Sequence, residues 1–263
     1  MDSFDQVALQ VDVQEEQDLA GAVQSSKFLW ILGGLALLLL VLGVLRIVLP
    51  KRKGNSVLLL GPSGSGKTTL FLQLRDGDTH NGTVASMHEN AGTFLLASEK
   101  QAQKGRPVHL VDVPGHPKVR SRVDSYVDNA RGIIFVIDSV DFMGQKTAVA
   151  EQLLEILAHP AVRKRRVPML IVCNKSDEGA KAHTVDFVRK RLEREINQIR
   201  QTQSTLEDSG GAKFVDIIGN MQEEFTFEML QKKNGMSVSS AGCSALTGHV
   251  DELMSFIRRC VPS

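Results

Sequence analysis

The sequence predicts an α/β fold: a doubly wound, mostly parallel sheet preceded by a single transmembrane helix. Three observations carry that expectation. From Val57 onward, short apolar runs rich in β-branched residues alternate with amphipathic helical stretches. A glycine-rich stretch, GPSGSGKTT (61–69), lies between the first apolar run and the first helical one. Upstream, the segment from Phe28 to Leu45 carries no charge at all.

The N-terminal elements come first. Residues 1–27 hold six acids and one base, Lys27. The apolar segment extends through Ile47–Leu49, so residues 28–49 reach the length of about 20 residues that a helix needs to cross a bilayer core. A cleaved signal peptide has a basic leading flank and a small-residue cleavage site. Here the leading flank is acidic and the run ends in Pro50-Lys51-Arg52-Lys53, which favours retention as a membrane anchor. The basic flank, residues 50–56, stays cytosolic by the positive-inside rule. Residues 1–27 are then lumenal, and residues 57–263 form the cytosolic domain.

Within that domain VLLLG (57–61) reads as a buried strand and Lys67 to about Arg75 as a helix. DGDTHNGTVASMHENAG is a polar loop. TFLLAS (93–98) and PVHLVDV (107–113) read as two strands joined by a polar turn. GIIFVIDS (132–139) and VPMLIVCN (167–174) are continuous apolar runs, as strands covered on both faces should be. Val185, Val188, Leu192, Ile196 and Ile199 recur at helical spacing, as do Val250, Leu253, Met254 and Ile257. Residues 203–235 break the rhythm and read as an insertion with one strand-like piece, FTFEML. MSVSSAG (236–242) supplies a last strand.

Composition narrows the function. A chain of 263 residues supports one substantial α/β domain. A net charge of +1 provides no general field for nucleic acid, and no sequence-specific nucleic-acid binding is expected. The three cysteines, Cys173, Cys243 and Cys260, are scattered and odd in number, which fits a reducing compartment rather than a disulfide framework or a metal site.

GPSGSGKT fits G-x-x-x-x-G-K-[ST] in the context its chemistry requires, between a strand and a helix. Gly61, Pro62, Ser63, Gly64, Ser65 and Gly66 form a loop whose backbone N–H groups turn toward phosphate oxygens at a helix N-terminus. Lys67 reaches the β- and γ-phosphates, the Thr68 hydroxyl binds Mg²⁺, and Thr69 completes the nucleotide-binding stretch. About fifty residues on, Asp112-Val113-Pro114-Gly115 ends another strand at the same edge of the sheet, where ligands bind. The Asp112 carboxylate is placed to hold Mg²⁺, through water, and the Gly115 N–H to meet the γ-phosphate. After a further strand comes Asn174-Lys175-Ser176-Asp177. Asp177 can accept from the N1–H and exocyclic amine of guanine, a donor pair that adenine lacks. The Lys175 stem can lie along the base, and Asn174 can tie this loop to the phosphate loop. Cys243-Ser244-Ala245-Leu246 follows the last strand, where the Ser244 and Ala245 backbone can face guanine O6.

The set GPSGSGKT, DVPG, NKSD and CSAL resembles the small GTP-binding proteins, the P-loop GTPases, over residues 57–260. The chain is more specifically similar to the signal recognition particle receptor β-subunit family, which also joins one N-terminal membrane helix to a GTPase domain. DVPGH, FVIDS, CNKSD and the insertion after the long fourth helix all look like that family's versions. The resemblance implies GTP and Mg²⁺ as cofactors and a single-pass receptor in the endoplasmic reticulum membrane. It also implies a GTP-bound form that holds the receptor α subunit, close to ribosome–nascent chain complexes. Composition and spacing by themselves establish a membrane-tethered guanine-nucleotide switch.

Two positions depart from the commoner GTPase pattern. Many Ras-like proteins place a water-orienting Gln after the DxxG glycine. His116 stands there instead, either positioning water or idle, so slow hydrolysis that depends on a partner is expected. The first switch offers Thr83, with Thr79 behind it, as the threonine that senses Mg²⁺ and γ-phosphate. The basic run Arg163-Lys164-Arg165-Arg166 is either a solvated loop or a contact for lipid headgroups or ribosomal RNA. Two other functional readings stay open beside the switch: a scaffold that holds GTP without hydrolysing it, and a vesicle-traffic GTPase.

Overall fold

The computed structural model describes residues 54–78, 88–102, 105–115, 123–207 and 223–261, together with Leu38 and Leu40. The chain divides into two units, residues 1–52 and 53–263. In the first, Leu38 and Leu40 are helical and exposed. The rest of the expected membrane span lies outside the described residues, among which no helix is long and apolar enough to cross a membrane.

In the second unit the described elements are β1 (Ser56–Leu60), α1 (Lys67–Asp76), β2 (Asn90–Phe94), α2 (Ala97–Ala102), β3 (Val108–Asp112), α3 (Val123–Val127), β4 (Ala130–Asp138), α4 (Phe142–Ala158), α5 (Pro160–Arg165), β5 (Met169–Asn174), α6 (Val185–Glu207), α7 (Phe227–Asn234), β6 (Val238–Gly242) and α8 (Asp251–Cys260). The strands form one sheet in the order β2-β3-β1-β4-β5-β6, parallel except where β2 runs against β3. Strand order reverses on the two sides of β1, and β1 feeds the glycine-rich loop at that switch point.

The sheet explains why its central strands lack a polar alternation. Leu58 and Leu60 of β1 enter one core with Phe135 and Ile137, beneath α4 and α6. Val57 and Leu59 enter a second core with Ile134 and Val136, beneath α1 and α8. Both faces are dry, so every position on β1 is apolar or small. Val188, Leu192 and Ile196 of α6 are fully buried in the first core, as their spacing predicts. Each such side chain contributes roughly 1.5–3 kcal/mol of burial.

Four expectations need correction. The strand expected at 93–98 runs from Asn90 to Phe94, and Ala97 already begins α2. Its limits are set by the antiparallel partner, from Asn90 opposite Asp112 to Phe94 opposite Val108, rather than by hydrophobicity. FTFEML is helical, not extended. Thr226 is the N-cap of α7, its hydroxyl accepting from the Met229 N–H at 3.2 Å, while Phe225 and Phe227 stack edge to face in the core. Residues expected at the start of the insertion belong to α6, which continues to Glu207. Finally, Arg163–Arg165 form the last turn of α5 rather than a loop, and Arg166 caps it in the left-handed region (φ 52°). Basic side chains there complement the negative end of the helix dipole.

Candidate functional site

Parallel strands bring their carboxyl ends to one edge, and the register aligns what they carry. Leu59 pairs with Asp112, and Asp138 pairs with Asn174. The expected residues after β1, β3, β5 and β6 therefore converge, although they are spread over more than a hundred positions of sequence.

The glycine-rich loop is built by its backbone. Gly61, Gly64 and Gly66 all have positive φ, at 134°, 81° and 87°. A side chain at Gly61 would strike the Val136 carbonyl at 2.2 Å, and one at Gly66 would strike Asn174 Nδ2 at 2.2 Å. Ser63 and Gly64 form the exposed tip, and Ser65 is buried. The Pro62 carbonyl accepts from Ser65 Oγ at 2.9 Å and from Lys67 Nζ at 2.7 Å. Lys67 is itself buried. Desolvation lowers its pKa to about 8, against the opposing attraction of Asp112. A buried ammonium in the first turn of a helix is stabilised most by an anion. Thr68 and Thr69 follow, both half-buried in the first turn of α1.

Asp112 is buried at the end of β3. Its Oδ2 accepts from Thr68 Oγ1 at 2.7 Å and from Asn90 Nδ2 at 3.0 Å. Its Oδ1 is buried with no hydrogen-bond partner. A carboxyl group with one orphaned oxygen beside a phosphate loop suits a divalent cation or its water. Gly115 lies against the loop. A Cβ there would sit 2.5 Å from the Gly61 carbonyl oxygen and 2.7 Å from Ser63 N, so no side chain fits.

Asn174 joins three segments. Its Nδ2 donates to the Ser65 carbonyl at 2.9 Å, and its Oδ1 accepts from Ala245 N at 3.1 Å and from Cys243 Sγ at 3.4 Å. The backbone carbonyl of Asn174 accepts from Ser139 Oγ at 2.5 Å. Lys175 adopts φ 66° and its ammonium pairs with Asp138. Asp177 is exposed in the 3₁₀ turn Ser176–Lys181, which Ser176 pins by donating from N and Oγ to the Cys243 carbonyl at 3.1 and 2.8 Å. Ser244 N donates to the His249 carbonyl, and Ser244 Oγ accepts from Thr247 N, folding the loop after β6 back on itself. The amides of Ser244 and Ala245 are thus engaged inside the protein, with Leu246 exposed beside them.

His116, Thr83 and Thr79 lie outside the described residues. Sequence reading missed Asn90, Asp138 and Ser139. Asp138 had a signal, a carboxylate ending a central apolar strand at the functional edge. Asn90 had none, because its role depends on the antiparallel pairing with Asp112.

The family model of the signal recognition particle receptor beta subunit matches residues 52–234. The human signal recognition particle receptor subunit beta is 32% identical over 219 residues, covering 81% of this chain and 76% of that protein. A solved structure of the mammalian SRP receptor superposes with a TM-score of 0.66 at 29% identity, covering 78% of this chain and 100% of the other. The SRβ–GDP structure from Chaetomium thermophilum gives 0.60 at 25% identity, over 80% and 98% of the two chains. Family model, sequence relatives and fold agree with the loop geometry, and the chain belongs to the signal recognition particle receptor beta subunit family.

Proposed function

We propose that this chain is the membrane-anchored, guanine-nucleotide-binding subunit of a signal recognition particle receptor, and that its GTP-bound form recruits the receptor α subunit to the endoplasmic reticulum. The observation that carries the reading is Asn174, which bonds the phosphate loop to the loop after β6 and positions Lys175 and Asp177 beyond it. One side chain thereby couples a phosphate cradle to a base-recognition edge. The Chaetomium relative is a GDP complex, in keeping with that pairing.

The residues divide the work. Gly61–Gly66 and Lys67 hold the phosphates, Asp177 reads the guanine donor pair, and the Lys175 stem, held by Asp138, flanks the base. Thr68 and Asp112 would hold Mg²⁺, with Thr83 joining from the first switch. The ion supplies charge neutralisation at the β- and γ-phosphates. His116, which follows the DxxG glycine in sequence, would orient water for a slow hydrolysis. Residues 28–49 span the membrane once, with 1–27 lumenal and the GTPase domain cytosolic.

A pull-down tests the recruitment. The full chain loaded with GTP should capture purified α subunit, and the GDP-loaded chain and Thr68→Asn should not. A ligand shifts a partner equilibrium only by its differential affinity for two states, so equal capture by all three forms leaves a non-switching scaffold instead. Orientation has its own test. Asn81-Gly82-Thr83 and Asn174-Lys175-Ser176 are both N-glycosylation sequons, and residues 1–27 contain none. No glycosidase-sensitive mobility shift is expected after synthesis with microsomes.

A further inference from the structure

The opposite edge of the sheet, where the parallel strands begin, carries basic residues at the starts of β3, β4, β5 and β6. Arg106 precedes β3 and Arg131 is the second residue of β4. Arg163 and Lys164 are exposed in the turn that leads to β5, and Lys232 and Lys233 in the turn that leads to β6. The last two groups form one patch, because a Cβ at Gly235 would touch the Arg166 guanidinium at 3.3 Å. The cause is topological. Helices run back against parallel strands, so α5, α7 and α8 all end here, and the dipole favours basic residues in last turns.

This edge also holds a cavity of about 610 Å³. Its polar wall is Asn55, Thr93, Arg106, His109 and Arg131, with no carboxylate among the lining residues. Thr93 Oγ1 and His109 Nδ1 bond at 2.9 Å across β2 and β3. Val261, at the end of α8, closes one side. Among the nearby acids, Glu99 is bound to Arg258 and Glu223 to Lys233. Asp128 and Asp124 are exposed on the α3 side.

Asn55 is part of this wall, and only six positions separate it from Leu49, the last residue of the expected membrane span. Six residues reach at most about 20 Å. The tether therefore cannot carry the cavity far from the headgroup layer. We propose that this basic edge docks on anionic phospholipid, with the phosphate of a headgroup entering the cavity between Arg106 and Arg131. The inference rests on the membrane-anchored reading above, and the committed ligand is a lipid headgroup rather than free phosphate. Juxtamembrane arginines and lysines gain from a negative leaflet, and the gain falls within a Debye length. Docking of this kind fixes the tilt of the domain, so that the nucleotide edge points away from the bilayer.

The test uses the full chain in nanodiscs of phosphatidylcholine with increasing phosphatidylserine. Hydrogen exchange is followed at residues 105–109 and 130–132. Protection should rise with phosphatidylserine and fall again in high salt. Arg106→Gln with Arg131→Gln should raise the half-saturating phosphatidylserine fraction on the order of tenfold, with nucleotide affinity unchanged. If that double variant loses nucleotide binding, Lys164→Gln with Lys232→Gln, both exposed, replaces it and should raise the same fraction severalfold. Equal exchange in neutral and anionic discs overturns the proposal. So does protection in neutral discs on adding inorganic phosphate, or on adding duplex RNA without any response to phosphatidylserine. Loss of the chain from the discs in high salt would instead count against the membrane anchor, which separates the two failures.

Discussion

The two edges of one sheet hold their polar groups in opposite ways. At the carboxyl edge, Lys67, Asp112 and Asn174 are buried, and their partners lie within hydrogen-bond distance. At the amino edge, Arg106, Arg163, Lys164 and Lys232 are exposed and spread over three connections. A buried polar group is costly to leave unsatisfied, so geometry there is over-determined. An exposed charge is screened, tolerant of position and worth little to stability alone. The carboxyl edge is thus built to recognise one shape, and the amino edge to sense a field.

That contrast predicts steep effects on one side and shallow ones on the other. Gly66→Ala should be the most damaging. It places a methyl group 2.2 Å from Asn174 Nδ2 at a backbone φ of 87°. Left-handed geometry alone costs about 1–2 kcal/mol for a residue with a Cβ, and the clash adds to it. Nucleotide titration should show binding weakened on the order of a hundredfold, and near-normal binding would show the loop to be looser than its contacts.

Asn174→Ala comes next. It strands the Ser65 carbonyl and the Ala245 N–H inside the protein. Each unsatisfied buried group costs about 1–3 kcal/mol, so thermal unfolding should move down by several degrees even with no nucleotide added. A drop confined to the nucleotide-loaded protein would mean that Asn174 serves the ligand and not the loops.

Lys67 gives the pH test. Its pKa is lowered from 10.5 to about 8 by burial. Between those values the unfolded chain holds a proton that the folded chain has lost, so stability rises with pH across that window and levels off above it. The gain is at most about 3.5 kcal/mol, from roughly 1.4 kcal/mol for each pKa unit. Lys67→Met should flatten the curve, and an unchanged profile would place the ammonium in solvent. Nucleotide binding near pH 9 should take up a proton, which calorimetry in buffers of different ionisation heat reads directly.

Asp177→Asn is smaller, on the order of 1.5–3 kcal/mol in GTP affinity, with a gain for xanthosine triphosphate. Because Asp177 is exposed, stability should not change. Unaltered GTP affinity would remove the guanine assignment. At the amino edge, Lys164→Gln should shift stability by less than about 0.5 kcal/mol. A larger loss would break the contrast by showing that these charges hold the fold.

Much of the carboxyl edge was legible as sequence because its chemistry is local. GPSGSGKT needs positive φ at set positions, and only glycine supplies that cheaply. DVPG and NKSD each follow an apolar strand, and parallel strands deliver their ends to the same place. The central strands were equally plain, since burial on both faces leaves runs without alternation. Misreadings fell where a partner decides the state. FTFEML has the β-branched and aromatic look of a strand, yet the Thr226 cap and core contacts of Phe225 and Phe227 make it helical. Strand β2 begins at Asn90 because β3 offers it a ladder, which hydrophobicity does not report.

By itself, then, the sequence determined the central strands, the phosphate loop and the apolar segment ahead of them, since each is written in neighbouring residues. Tertiary structure alone decided that Asn90 and Thr68 share one oxygen of Asp112, that Asp138 holds Lys175, and that Asn174 bonds two distant loops. It also gathered basic residues from separate connections onto one edge around a cavity. These are contacts between groups many tens of residues apart, fixed by strand register and helix polarity, and no local pattern encodes them.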